Sequence, residues 1–448
     1  MTWPMVIRRW IAAVLLSVAA VLAWRGGSGA QSVGRILPGL DAGTIGRLTV
    51  TSRGASSVFE ADGLAWRQVE PYPCVADALA IRDALDVAAA LPAYQSFPSD
   101  AVDRASLGLA EPSASLEVRG AGGSTTIVLG RRAPAGRAWV EVDGRVFSTD
   151  DALHALVASG DPRRWRDPAL FERLSPDIDR ITLRRGDASM VLERSGQRWS
   201  MREPIATRAD AEAVGRWIDS LGRVRADAWV ADLAPTGADL ARFGLDAPGG
   251  SVTIATTARS LRDGQLASTT AEQVVEWGSV VERGTGLRVA RRVGVPAVVS
   301  LDERALAAMD PAPESLIDGR MLDVPTSSIK SIAIDGPAGR CTVERREGQW
   351  FLVDAAHPEG TPARDPAVAS LLVALTESRA SALNEQGVPA GLTPTTVSVV
   401  GFDGATLGTL SIVREGTAGR FGVACGDGLL RVYSERTLLP LDPAQFVR

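Results

Sequence analysis

The run ITLRRGDASMVLERSGQRW, from Ile181 to Trp199, decides the fold of this chain because its spacing occurs three times. An apolar strand start lies 18 residues before a tryptophan at Leu48 and Trp66, at Ile181 and Trp199, and at Ile332 and Trp350. Self-similarity at a fixed spacing is the mark of a repeated structural unit. We therefore predict that the body of the chain consists of three copies of one unit.

Each copy continues with a helix that starts near an aspartate. The predicted helices run from Asp77 to Leu91, from Asp210 to Val224 and from Asp365 to Ala380. An aspartate at the start of a helix can cap exposed backbone N–H groups with its carboxylate. This arrangement predicts one main helix in each copy.

A Gly-Leu turn and a closing element complete each copy. The turns lie at residues 107–112, 243–248 and 390–394, and in each the glycine is expected to adopt a positive φ that ends a short helical turn. The copies then close on a strand and a short capped helix at residues 146–153, 298–306 and 432–438. In the first two closing elements, the pairs Asp150-Asp151 and Asp302-Glu303 are interpreted as helix caps.

These elements predict an α+β fold of three tandem modules, each a mostly antiparallel sheet with one main helix. Strands outnumber helices and do not alternate strictly with them, which disfavours a parallel βαβ sheet. The predicted boundaries are 44–172 for module 1, 177–322 for module 2 and 326–448 for module 3. Modules of this size bury roughly two-thirds of their unfolded surface, which is enough for an independent core.

Residues 1–30 predict a membrane anchor or signal segment. Arg8 and Arg9 precede the uncharged run from Trp10 to Trp24, and Arg25 follows it. Fifteen residues of helix span only ~22 Å of a ~30 Å hydrocarbon layer, so a cleaved signal peptide competes with an uncleaved anchor. The anchor predicts a single-pass protein of the bacterial cytoplasmic membrane whose bulk is extracytoplasmic. Cleavage predicts secretion to the periplasm.

Composition excludes some classes of partner and site. The net charge of the 448 residues is −5, but the first 30 residues hold three arginines and no acid, which leaves −8 on the rest. Nucleic-acid binding requires a basic surface, so no nucleic-acid partner is expected. Two histidines and three cysteines are too few for most metal sites built from these residues.

In an oxidising compartment Cys341 and Cys425 would either form a disulfide or be small buried thiols, and Cys74 would be left over.

Candidate catalytic residues are few, and each has a simpler interpretation. Ser327-Ser-Ile-Lys330 matches the Ser-x-x-Lys pattern of penicillin-recognising enzymes, but the repeat places Lys330 at the start of a strand. We expect His154 on the surface of a short helix and His357 in an inserted turn, with no partner nominated for either. The sequence therefore predicts no catalytic, cofactor-binding or metal-binding residue, and no cofactor.

The second copy resembles a known family. Its strand, Trp199, Pro204, Ala209-Asp210 and the turn from Phe243 to Pro248 are similar to the module called domain of unknown function 4340. The first copy fits well, the third lacks the early proline, and the resemblance covers most of residues 44–448. It implies a bacterial envelope protein with an amino-terminal anchor, and some such proteins are similar to auxiliary components of gliding-motility-type ABC transporters. No catalytic residues are known for the family, so the resemblance assigns none to this chain.

Three functions compete on these observations. The first is a non-catalytic, membrane-tethered extracytoplasmic scaffold or adaptor that contacts the membrane through residues 10–24 and binds envelope proteins. The second is an envelope ligand-binding protein for a glycan or lipid, which predicts exposed aromatic side chains along a groove. The third is an unrecognised hydrolase, which predicts a cleft with convergent polar residues and shifted pKa values.

Overall fold

The computed structural model describes residues 34–158, 161–172, 174, 176–231, 237–262, 265–281, 287–389, 391–414 and 419–447. In these ranges no helix is both long and apolar enough to cross a membrane. The membrane segment predicted at residues 10–24 lies outside them. The chain divides into two compact units: apart from two short pieces of later sequence, the first ends at Pro168, and the second begins at Ala169 and holds modules 2 and 3.

The first unit contains one nine-stranded antiparallel sheet of order β5-β4-β3-β2-β8-β9-β10-β11-β7 and a two-stranded sheet β1-β6. Its strands are β1 Gly34–Arg35, β2 Ile45–Ser52, β3 Ala55–Asp62, β4 Ala65–Glu70, β5 Cys74–Val75, β6 Pro92–Ala93, β7 Gln95–Pro98, β8 Ala114–Gly120, β9 Gly123–Ala133, β10 Arg137–Val142 and β11 Arg145–Asp150. Its α-helices are α1 Ala78–Ala90 and α2 Ala152–Val157, and its 3-10 helices are Ala42–Thr44, Ser99–Ala101 and Pro162–Trp165.

The second unit contains two nine-stranded sheets, and each repeats that strand order. The strands of module 2 are β12 Ile178–Arg185, β13 Ala188–Ser195, β14 Arg198–Glu203, β15 Thr207–Arg208, β16 Ala228–Ala231, β17 Gly250–Arg262, β18 Gln265–Val281, β19 Arg288–Arg292 and β20 Val298–Leu301. Its helices are α3 Ala211–Leu221, α4 Gly237–Arg242, α5 Glu303–Met309 and the 3-10 helix Pro313–Leu316.

Module 3 has the same plan as module 2. Its strands are β21 Ile329–Gly336, β22 Gly339–Arg346, β23 Gln349–Asp354, β24 Thr361–Pro362, β25 Ala382–Asn384, β26 Thr395–Gly401, β27 Thr406–Arg414, β28 Phe421–Ala424 and β29 Leu430–Tyr433. Its helices are α6 Asp365–Thr376 and the 3-10 helices Thr326–Ser328 and Pro443–Phe446. The α+β class and the threefold repetition of a mostly antiparallel module are confirmed.

In each module the 18-residue spacing spans three consecutive antiparallel strands, and these strands pair in the same register in all three modules. In module 2, Ile181 pairs with Leu192, and Trp199 pairs with Arg194 on the next hairpin. The corresponding pairs are Leu48 with Phe59 and Trp66 with Ala61 in module 1, and Ile332 with Val343 and Trp350 with Arg345 in module 3. Because a one-residue slip would move every side chain of a strand to the other face, burial of one face maintains this register.

The repeat tryptophans differ in burial. Trp199 is 7% exposed and belongs to the core of module 2, whereas Trp66 and Trp350 are half-buried and pack against the margins of their cores. Trp199 is therefore a core residue of module 2, whereas the rings of Trp66 and Trp350 cover the edges of their cores.

The predicted helix starts are confirmed in two copies. The Asp77 carboxylate accepts hydrogen bonds from Leu79 N and Ala80 N, and Asp210 does the same for Glu212 N and Ala213 N. In module 3 the prediction is wrong by one residue, because Arg364 occupies the cap position without a side-chain cap bond and Asp365 is the first helical residue. There its charge faces the positive end of the helix dipole.

The closing helix is present in modules 1 and 2 but absent from module 3. Residues 434–438 form a turn in which Thr437 N donates to Ser434 O. Pro440 restricts the residue before it to extended conformations, so a helix cannot continue through this segment. The Gly-Leu turns follow the prediction, with φ of +69° at Gly108, +64° at Gly244 and +92° at Gly391.

Candidate functional site

A short segment joins modules 2 and 3 within the second unit and is bonded to both. We call residues 316–323 the junction segment. Asp210 N of module 2 donates to Leu316 O over 2.8 Å, and Ile317 forms an isolated bridge with Ala209. On the module 3 side, Leu322 N donates to Leu375 O over 2.9 Å. The segment therefore carries main-chain bonds to both modules rather than acting as a free linker.

Module 3 also contributes an apolar side chain to the core of module 2. Leu429, in the loop between β28 and β29, is 1% exposed and packs in the cluster that contains Trp199 and Leu316. Burial of a leucine side chain is worth roughly 1.5–3 kcal/mol. The two modules therefore share part of one hydrophobic core.

Beside Leu429 lies a fully buried arginine, Arg431 of β29, which is 0% exposed. Its Nη1 and Nη2 donate to the Asp427 carboxylate over 3.0 Å and 2.6 Å, and its Nε donates to Asp318 O over 3.0 Å. Nη2 also donates to Thr207 Oγ1 over 3.1 Å, and that hydroxyl donates to Asp427 Oδ2 over 2.5 Å. Arg431 thus binds module 2 and the junction segment at the same time.

A second group of charges surrounds the junction segment. Asp318, whose side chain is 1% exposed, accepts from Arg320 Nε over 3.0 Å and lies 3.7 Å from Arg208 Nε. Arg208 Nη2 donates to Arg320 O over 2.6 Å. Buried charges are tolerated when they are paired and hydrogen-bonded. This pairing fixes the junction segment against module 2.

Ionisation follows from this pairing. Burial acts to raise the pKa of Asp427, but the hydrogen bonds from Arg431 and Thr207 outweigh it and the pKa of Asp427 is lowered. Burial acts to lower the pKa of Arg431, but hydrogen bonding to Asp427 and the neighbouring charges together outweigh burial, so the pKa of Arg431 is raised. Both groups are therefore charged at neutral pH, and neither is poised to exchange a proton.

A cleft of about 350 Å³ lies beside this network. Arg202, Arg208, Thr207, Thr409 and Asp427 supply polar lining. The lining also contains Ser200, Met201, Ala206, Met321, Leu322, Leu407, Gly408, Leu410 and Cys425. None of these lining residues is aromatic. Burial raises the pKa of the Cys425 thiol, so it stays protonated and is a weak nucleophile.

Gly408, on β27, permits the close approach of the junction segment to module 3. A Cβ atom there would meet Leu322 Cδ2, which is itself buried, at 2.4 Å. We expect Gly408→Ala to lower the free energy of unfolding by about 1–3 kcal/mol, as overpacking of a core does. Chemical denaturation followed by circular dichroism measures this. Gly215→Ala, inside α3, is the control, since a Cβ there meets nothing within 4 Å and alanine favours a helix over glycine, and an equal loss in both variants would contradict the prediction.

The structure does not place the Ser-x-x-Lys residues together on an α-helix that could align them. Ser327 and Ser328 lie in a 3-10 turn, Ser328 Oγ donates to Pro325 O over 2.8 Å, and Lys330 lies in β21. The prediction that Lys330 begins a strand is confirmed. The requirement of a helix start for Ser-x-x-Lys chemistry is not met.

The expectation for His154 was wrong. The residue is 2% exposed, because the inner face of α2 packs on the sheet with Leu153, His154 and Val157 buried. Its Nε2 lies 3.1 Å from Gly130 O, and burial lowers the pKa of His154, so the ring is neutral at pH 7. His154 is therefore part of the interior of module 1.

His357 does have a partner, which the sequence had not nominated. Its Nδ1 lies 3.0 Å from Asp354 Oδ1 in the inserted turn. Burial acts to raise the pKa of Asp354, but the hydrogen bonds from His357 outweigh it and lower that pKa. Asp354 also accepts from His357 N and Ala356 N, so the pair orders the turn.

The acidic pairs and the cysteines occupy structural positions. Asp302 caps α5 through Ala305 N over 2.7 Å, whereas Asp151 occupies the cap position of α2 without a side-chain cap bond. None of Cys74, Cys341 and Cys425 forms a disulfide, so Cys341 and Cys425 do not pair. Burial raises the pKa of Cys341 to about 11. In the part of the chain that the structure describes, no group of three or more His, Cys, Asp or Glu residues is placed to hold a metal ion.

Sequence reasoning missed Arg431, because its equivalent positions in the other modules are defined only by the strand register. In the paired register, the residues corresponding to Arg431 in β29 are Val299 in β20 and Phe147 in β11. A charged residue at an otherwise apolar repeat position marks a buried partner. That partner, Asp427, lies in a loop where the three copies differ, so the pair was not visible from the alignment of the repeats.

One family model matches this chain in two overlapping regions. The model, described as Domain of unknown function (DUF4340), matches residues 66–237 and 199–396. The matches begin at Trp66 and Trp199, and each runs from one module into the next along the sequence. A search of curated proteins gives no match.

Proposed function

Because the chain belongs to the DUF4340 family, whose function its description leaves open, we propose its role from the geometry of the modules. The proposal is a non-catalytic, membrane-tethered extracytoplasmic scaffold or adaptor that binds other envelope proteins. Its supports are the repetition of one sheet module and the way modules 2 and 3 are joined.

The observation that carries this proposal is the Arg431 network. Its charged groups bond to one another across two modules. The pKa of Asp427 is lowered and that of Arg431 is raised, so both groups stay ionised and neither has a pKa near neutral pH. Acid–base catalysts require the opposite, namely a pKa near the working pH. This polar cluster therefore supports a rigid joint that presents two modules as one body.

The tether and the class of partner rest on the sequence. The charge pattern around residues 10–24 supports a single-pass anchor, with the cleaved and secreted form as the alternative. The family resemblance supports a role as an auxiliary component of an envelope ABC-transporter or gliding-motility-type complex. Under this proposal the bulk of the chain lies outside the cytoplasmic membrane, where envelope partners meet it.

A second candidate is binding of an envelope lipid or glycan in the cleft beside the junction segment. Its volume of about 350 Å³ is at the lower end of the range for small-molecule sites. The lining joins apolar side chains such as Leu407 to the cations Arg202 and Arg208, which suits an acyl chain with an anionic headgroup. The lack of aromatic lining makes a stacked sugar ring a poorer fit than a lipid.

Crosslinking in intact cells tests both candidates in one experiment. The full chain with a carboxyl-terminal tag is crosslinked, solubilised from membranes and purified, and both co-purifying proteins and lipids are identified. We expect defined envelope proteins that also recover this chain when they are tagged themselves. The same tag on an unrelated anchored protein is the control. Recovery of a stoichiometric lipid without any protein would favour the second candidate, and recovery from the cytosol would overturn both.

A further inference from the structure

The β17–β18 hairpin of module 2 extends well beyond its sheet. The neighbouring strand β12 pairs with β17 only as far as Thr256, whereas β17 and β18 continue to pair from Thr257 with Thr270 to Arg262 with Gln265. We call these six residue pairs the module 2 arm. At ~3.4 Å per residue the arm is roughly 20 Å long.

The arm is specific to module 2. In module 1 the corresponding hairpin ends level with its sheet, since Gly120 pairs with both Ile45 and Gly123. In module 3, Gly401 pairs with Ile329 and closes a short turn by donating to Ala405 O. A shared fold does not require the extra length, so the arm is an addition to the module.

Within the described part of the chain, no strand pairs with the outer edge of β18 along the arm. Alternate residues of a strand direct N–H and C=O to opposite sides, and Val274 O accepts from Val293 N on the side away from β17. The same side therefore carries the main-chain groups of Leu266, Ser268, Thr270 and Glu272. Among the residues that the structure describes, β19 pairs with β18 only from Val275 to Val281, so residues 265–273 have no strand on this side.

This edge lacks the features that usually protect a free strand. Proteins block exposed edges with lysine, proline, charge or bulges. The segment from Gln265 to Ala271 has no charge, proline or glycine, and its central residues are threonine and serine. The opposite edge differs, because Thr257 N donates to the Asp179 carboxylate over 3.1 Å and Arg259 and Arg262 follow on that strand.

We propose that the module 2 arm pairs with the arm of a second copy of this chain, by antiparallel addition of one β18 edge to the other. A two-stranded ribbon is only marginally stable in water, so further strands stabilise it. A twofold axis at Thr269 sets Ser268 opposite Thr270 and leaves no like charges opposite each other. The pairing joins two scaffolds into a closed dimer, which goes beyond the proposed binding of envelope proteins.

The test is the mass of the purified full chain in solution, measured by analytical ultracentrifugation with correction for any bound detergent. We expect twice the 47.1 kDa of one chain, falling to the single-chain mass on dilution. Ser268→Pro removes an outward N–H without removing a bond to β17, so we expect it to abolish the dimer. Arg259→Pro alters the opposite edge in the same way and should leave the dimer intact.

A crosslink locates the contact. Thr269→Cys places two thiols at the proposed axis, and oxidation should yield a covalent dimer that Ser268→Pro prevents. A single-chain mass at every concentration, or a dimer that Ser268→Pro leaves unchanged, overturns the proposal. Neither outcome bears on the recovery of envelope proteins, so failure of this proposal and failure of the scaffold function are distinguishable.

Discussion

Replacing Arg431 with methionine is expected to lower the free energy of unfolding of the second unit by about 3–5 kcal/mol, the usual cost of breaking a buried ion pair. The change leaves the Asp427 carboxylate, whose side chain is 15% exposed, without its guanidinium. It also removes the donors to Thr207 and to Asp318 O. Chemical denaturation of the full chain, followed by circular dichroism, measures the loss.

Two further variants separate the ion pair from other effects of the substitution. The double variant Arg431→Met, Asp427→Leu removes both charges, and we expect it to recover most of the stability because a paired apolar replacement is often neutral. Arg340→Met breaks an exposed pair with Asp335 and should leave the unfolding midpoint unchanged. A double variant as unstable as the single one would show that the charges are not what joins modules 2 and 3.

Replacing Trp199 with alanine is expected to cost about 3–5 kcal/mol, as large-to-small changes of a buried aromatic do. Trp199 is 7% exposed, and its ring also lies 5.8 Å from the guanidinium carbon of Arg194. Trp66→Ala and Trp350→Ala are the matched controls, because they occupy the same repeat position but are only half-buried. We expect smaller losses from both, measured by denaturation followed by circular dichroism.

The comparison of the three tryptophans tests whether burial or repeat position sets the cost. Equal losses at all three positions would contradict the prediction and would indicate that the repeat position acts through register rather than through burial. We expect the larger loss at Trp199 because its ring lies in a core cluster that also contains Leu429 of module 3.

Sequence patterns predicted most of each module because the interactions that form its strands, turns and helix caps join residues close together in the chain. The meander from Ile181 to Trp199 follows from strand length and turn positions, and Asp77 and Asp210 cap their helices through residues two and three positions away. The predictions failed where a distant contact decided the outcome. His154 is buried because a whole helix packs on the sheet, and an alignment of short motifs carries no information about that packing.

The candidate site depends even more strongly on contacts between residues that are distant in the sequence. Thr207 and Arg431 are 224 residues apart in the chain but 3.1 Å apart in the structure, and neither belongs to a motif. The arm edge is a similar case, because the run from Gln265 to Ala271 is unremarkable as sequence. It becomes a candidate interface only when the register shows which strands stop short of it.

By itself the sequence determined that one α+β module occurs three times, because strand spacing, capping residues and turn glycines are short-range and repeat with the unit. Only the tertiary structure decided that modules 2 and 3 share a core and a buried charge network, and that, among the residues it describes, module 2 alone carries a projecting arm. Those features depend on which surfaces meet and which edges stay unpaired. Both are set by contacts between residues far apart in the chain, where spacing in the sequence carries no signal.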